Sequence, residues 1–197
     1  MRRDQKSFAF GGKARKFDDA GKSNLFLAIV PERDVALRAA EIGSDVSQRH
    51  GLSKGPRPQA LMHVSLNAIG KYADFPEDVV VAVSAAMATV KAAPFEVMFD
   101  RVMHFASANA VALGNAVRSE EMMDLHVQLA KEMWAVGLTF SYNPRFMPHM
   151  TLFYDEAPVP EQMLADPVSW IAREFVLIRS FIGKSEHEYI DRWPLLD

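Results

Sequence analysis

The chain has no cysteine among its 197 residues, so disulfides, thiolate nucleophiles and cysteine-based zinc sites are excluded. That absence suits a reducing compartment, and a cytoplasmic location is expected from it. No stretch of about 18 consecutive apolar residues occurs, which argues against a membrane-spanning helix. The opening residues, MRRDQKSFAFGGKARKFDDAGKS, lack the apolar centre of a secretory signal. Net charge is scarce as well, at −3 with 22 Lys and Arg against 25 Asp and Glu. No global positive field would hold a long nucleic acid by its phosphates. An RNA substrate would have to be gripped locally, at an end or at a single phosphate.

What is present is an ordinary globular composition, 49% apolar and 24% charged, with enough apolar material for one core. Residues 1–23 are basic and glycine-containing and are expected to form a flexible tail, or else a short arm on an RNA backbone. Residues 24–197 are expected to form a single two-lobed domain, with a monomer as the default. Ala20-Gly21-Lys22-Ser23 imitates the end of a phosphate-binding P-loop. Lys16 stands where that motif needs its first glycine, and the segment precedes a strand instead of following one, so the P-loop is rejected.

Periodicity predicts a strand over Asn24–Val30 and a helix from Glu32 to His50, with Val35, Leu37, Ile42 and Val46 inward and Gly51 as its stop. A half-buried strand follows over Ala60–Ile69, then a helix from Pro76 to Lys91. Paired strands are predicted over Pro94–His104 and Ala108–Leu113. The clearest helix runs from Ser119 to Trp134, with Met122, Leu125, Leu129 and Met133 in one stripe. Strands over Pro148–Tyr154, Trp170–Ile182 and His187–Trp193 complete the chain. A strand-helix-strand unit thus occurs twice, ending each time on a histidine strand. The fold class expected is α+β: a two-lobed, pseudo-symmetric duplicated fold, with antiparallel sheets lining a central cleft and helices outside.

His63-Val64-Ser65-Leu66 and His149-Met150-Thr151-Leu152 share one form, histidine, apolar, hydroxyl, apolar. In a strand, residues i and i+2 point the same way, so each motif presents an imidazole beside a hydroxyl, with Asn67 continuing the first polar face. Two such strands offer a proton acceptor, a proton donor and two hydroxyls for phosphate oxygens, the set needed to cleave a phosphodiester without a metal. A lone histidine in a strand is usually structural; two matched motifs at equivalent places in a repeated unit favour chemistry. Metal binding is disfavoured, because neither motif has a second ligand at a suitable spacing. His50 and His126 on helices, and His104 and His187 at strand ends, are read as structural.

With LFLAIVP before the first motif, HVSLNAIG at it, RFMPHMTLFY at the second and the closing strand pair, the sequence resembles the two-histidine (2H) phosphoesterases. The likeness is to the bacterial 2′-5′ RNA ligase-like proteins, also called RNA 2′,3′-cyclic phosphodiesterases. That resemblance implies His63 as proton donor, His149 as acceptor, and Ser65 and Thr151 on the phosphate, with no metal and no cofactor. The implied reaction opens a 2′,3′-cyclic phosphate to a 2′-phosphate. Two positions depart from the family pattern. Tyr154 stands where a basic residue is frequent, with Arg145 upstream as a possible substitute charge, and Ala68 stands where an aromatic residue is frequent. Tyr154 or Phe153 is then a candidate for stacking on a base, Phe153 being the better fit to a core role. Other small substrates, 2′-5′-linked oligonucleotides or an ADP-ribose cyclic phosphate, and a non-catalytic RNA-end-binding module remain open as alternatives.

Overall fold

The computed structural model describes residues 22–140 and 142–196. The basic segment over residues 1–21, including most of the P-loop imitation, lies outside the described residues.

Eight strands and three helices make an α+β fold: β1 (Ser23–Ile29), α1 (Arg33–Arg49), β2 (Val64–Tyr72), α2 (Glu77–Met87), β3 (Phe95–Phe105), β4 (Ala110–Gly114), α3 (Glu120–Ala135), β5 (Met150–Tyr154), β6 (Gln162–Ala172), β7 (Glu174–Phe181) and β8 (Glu186–Pro194). The strands form one sheet in the order β6-β3-β4-β5-β2-β1-β7-β8. The α+β class with antiparallel strands is as expected, and all eight strands belong to one continuous sheet. The two halves join through β2 and β5, whose register consists of a single residue pair, Val64 with Met150. Read outward from that seam, β5-β4 and β2-β1 are each an antiparallel pair connected by a helix, α3 in one half and α1 in the other.

The helices form where the apolar period dictates. Ser119 caps α3, its Oγ accepting the Met122 N–H at 3.3 Å, and Met122, Leu125, Leu129 and Met133 are all buried. In α1 the buried stripe is Val35, Ala39, Ile42 and Val46; Leu37, expected inside, is 39% exposed because it falls between the turns that face the sheet. The main core gathers the buried residues of all three helices with Leu25, Leu27 and Ile29 of β1. The alternate residues of β1, Phe26 and Ala28, turn to the opposite face and form a small second cluster with Val176 and Ile178 of β7. Among the described residues, no helix residue belongs to that cluster.

Trp170–Ile182, predicted as one strand, is divided at Arg173. Its first part belongs to β6, which begins at Gln162 and pairs with β3, while its second part pairs with β1 and β8. Sequence-adjacent residues thus serve nearly opposite ends of the strand order, which requires the sheet to curl until its ends approach. Hydrogen bonds from Leu195 N–H to Arg173 O and from Leu196 N–H to Ala92 O, both 2.8 Å, close that region. Pro167 is tolerated in β6 because β6 is an edge strand and its register skips there. No helix among the described residues is long and apolar enough to cross a membrane.

Candidate active site

Both histidines sit one residue before their strands instead of within them, and the reason is the same at each. Nδ1 of His63 lies 2.8 Å from Leu61 O, and Nδ1 of His149 lies 2.8 Å from Met147 O. A carbonyl only accepts, so in the neutral rings Nδ1 carries the proton and Nε2 holds the lone pair. Each ring also leans on a phenylalanine at a similar tilt: His63 on Phe26, centroids 5.0 Å apart at 34°, and His149 on Phe105, 4.6 Å apart at 36°. In the free protein, Nε2 of His63 is 3.1 Å from Ser65 Oγ, placed to accept the hydroxyl proton.

The strands carry matching irregularities. The β1–β2 register skips Leu66, and the β4–β5 register skips Leu152, each three residues beyond its histidine; β1–β2 has a second skip, at Ile69. Such a bulge adds one residue to one strand and re-aims the side chains after it. In β2 this turns Asn67 inward, to 2% exposure, where its Nδ2 donates to His126 O at 3.2 Å. Its predicted place on the polar face is therefore corrected. Ala68 becomes the next exposed position after Ser65, and Tyr154, 51% exposed, the next after Thr151. Thr151 itself is 8% exposed, and Phe153 is buried in the core as expected.

A carbonyl displaced from a ladder by a bulge needs another donor. Leu66 O is met by Nδ1 of His126 at 3.1 Å, and Leu152 O by the backbone N–H of Arg57 at 2.7 Å. The second of these bonds fixes Arg57 at the site. Its guanidinium stands 5.8 Å from the Tyr154 ring centroid, and its charge acts on both His63 and His187. His187, on β8, packs edge-on against His63 with centroids 5.2 Å apart. Arg57 and His187 are the site residues that sequence reasoning missed. Arg57 lies in a loop with no periodicity, and His187 arrives through pairing at the far end of the sheet. Arg145, by contrast, is exposed, its backbone N–H donating to Asn143 Oδ1 at 3.0 Å.

Burial pushes the His63 pKa down to about 3, partly opposed by the Leu61 carbonyl and reinforced by Arg57, His187 and His149. His149 is also lowered by burial, against the Met147 carbonyl, and no charge among the described residues adds to the shift. His187 is pushed down to about 4 by burial and by Arg57. The site therefore holds neutral imidazoles beside one guanidinium, an arrangement that favours an incoming anion.

Residues 17–180 match the 2′-5′ RNA ligase superfamily. The chain belongs to that family. Among curated proteins no relative matches by sequence. Among solved structures, this 2′-5′ RNA ligase superfamily chain is similar to Escherichia coli LigT complexed with ATP, with a TM-score of 0.73 and 18% identity over 89% of this chain and 99% of that one. A structure described as a phosphoesterase gives 0.71 and 20% over the same shares. The protein TT0787 of Thermus thermophilus gives 0.69 and 21% over 87% and 97%. At these identities the likeness is one of fold. Superfamily membership supports phosphoesterase chemistry in general.

Proposed function

We propose that the protein is a cyclic phosphodiesterase that opens an RNA 2′,3′-cyclic phosphate to a 2′-phosphate, with His63 and His149 as its acid–base pair and no metal in the reaction. The reading is carried by the two imidazoles, each held through Nδ1 on a carbonyl two residues back, so that Nε2 is left for substrate. His149 Nε2 takes a proton from the attacking water as the new P–O bond forms. The bond from phosphorus to O3′ breaks, and the proton carried by His63 passes to O3′, giving a 2′-phosphate and a free 3′-hydroxyl. Ser65 and Thr151 hold the phosphate oxygens, and Arg57 faces their charge.

A donor whose pKa is pushed down to about 3 is unprotonated near neutrality in the free protein. The substrate supplies the correction. A phosphate charge about 4 Å from the ring is worth about 4 kcal/mol near a protein surface, or roughly three pKa units. It also neutralises Arg57, one source of the depression. Protonation of His63 is therefore coupled to substrate binding. The nucleotides and phosphate found in complexes of Escherichia coli LigT (ATP, 3′-AMP, NADP+ and phosphate) favour a small nucleotide or an RNA end as the ligand here.

The test is turnover of 2′,3′-cyclic AMP and of a cyclic-phosphate RNA in EDTA, with the product position read by phosphorus NMR. A 2′-phosphate is expected, reduced by about 10² to 10⁴ in His63→Ala and in His149→Ala. Activity lost in EDTA and restored by a divalent ion would overturn the metal-free mechanism. Full activity in either variant would overturn the residue assignment.

A further inference from the structure

His126 of α3 is 2% exposed and belongs to neither motif. Burial lowers its pKa, against the pull of the Asn143 and Leu66 carbonyls, so near neutrality the ring has one N–H to give. The neighbours decide where that proton sits. Nε2 lies 3.2 Å from Asn143 O, a carbonyl that already accepts the Phe146 N–H at 3.1 Å. Nδ1 lies 3.1 Å from Leu66 O, the carbonyl that the bulge takes out of the β1–β2 ladder. The N–H therefore belongs on Nδ1. In return Asn67, next along β2, donates its Nδ2 to His126 O at 3.2 Å, so strand and helix hold each other by two bonds.

The face of the same ring serves the other half. It stacks on Phe146, centroids 4.4 Å apart at 25°, and on Tyr142, 5.0 Å apart at 14°. Phe146 is buried and directly precedes Met147, whose carbonyl lies 2.8 Å from Nδ1 of His149. Leu66 directly follows Ser65, whose hydroxyl is bonded to His63. One imidazole thus reaches the chain behind each motif, by an edge on one side and by a face on the other.

We propose that His126 is a positioning residue shared by the two motifs, its Nδ1–H setting the bulge beside Ser65 and its ring face setting the segment that anchors His149. The proposal rests on the acid–base reading above and deepens it. Two substitutions separate the two links. His126→Phe keeps a flat ring for Phe146 and Tyr142 but gives Leu66 O no donor. His126→Asn keeps an amide N–H in the place of Nδ1 but offers no ring. Each variant, with melting curves to verify folding, should lower kcat/KM for 2′,3′-cyclic AMP about 10- to 100-fold, the cost of a small displacement of a reacting group. NMR of the imidazoles gives a second readout that needs no turnover. His126→Phe should shift the His63 resonances and leave those of His149 in place; His126→Asn should do the reverse. A lowered melting temperature with unchanged kcat/KM, or equal shifts at both histidines in both variants, would overturn the positioning role. Selective shifts without turnover of any cyclic nucleotide, even by the unaltered protein, would overturn the reaction and leave the two links standing; turnover without selective shifts would do the opposite.

Discussion

The two histidine motifs share a backbone and differ in their surroundings. Each ring is anchored at 2.8 Å on the carbonyl two residues back, each rests on a phenylalanine, and each strand bulges at the leucine three residues on. Around His63 stand Arg57 and His187; no comparable charge acts on His149. The backbone therefore sets where the imidazoles point, burial lowers the proton affinity of both, and Arg57 of the loop with His187 of β8 lowers that of His63 further. If His63 and His149 act as the proposed acid–base pair, their unequal surroundings are what separate the two roles.

Removing Arg57 attacks that inequality directly. Arg57→Met should raise KM for a cyclic phosphate about 10- to 100-fold, the equivalent of a lost hydrogen bond to a charged group. In NMR titrations the His63 and His187 resonances should move toward higher pH while His149 stays in place. A His149 shift as large as that of His63 would show that the charge is shared and the asymmetry is not Arg57's doing. The hydroxyls give a smaller contrast. Thr151 is nearly buried and Ser65 exposed, so Thr151→Val should cost about 10-fold in kcat/KM and Ser65→Ala about 3-fold, as expected for hydrogen bonds of unequal shielding. The reverse order would place the phosphate against the His63 strand.

The smallest effect concerns stability in acid. His63 is held near pKa 3, below the roughly 6.5 of an unfolded chain, so the unfolded state binds more protons between those values. Stability from this group is present above pH 6.5 and is lost as pH falls toward 3. In urea titrations at pH 7 and pH 4.5, His63→Gln should remove more of the acid-induced loss than His149→Gln. Equal slopes would mean that the two rings are depressed alike.

Much of the site was legible because its information is local. A two-residue alternation suffices to put His63 beside Ser65 and His149 beside Thr151, and the capped stripe of Met122, Leu125, Leu129 and Met133 suffices for α3. What escaped depends on partners remote in sequence. The skip at Leu66 is defined against β1, so the inward turn of Asn67 could not be read from β2 alone. Arg57 is held by the carbonyl of Leu152, and His187 meets His63 through the neighbouring Phe26 of β1. The union of the halves into one sheet depends on Val64 and Met150, a pairing that neither strand announces.

The two extra leucines also change how these strands must be read. Up to Leu66 and Leu152 the residues alternate in one phase, and just past them in the other, until β2 skips again at Ile69. Substitutions stepped two at a time from Ser65 or Thr151 land on Asn67 and Phe153, both interior, and would report folding defects. The positions in phase with the chemistry are Ala68 and Tyr154. Relatives that differ in substrate choice are expected to differ there, at an odd spacing that a scan keyed to alternation would pass over.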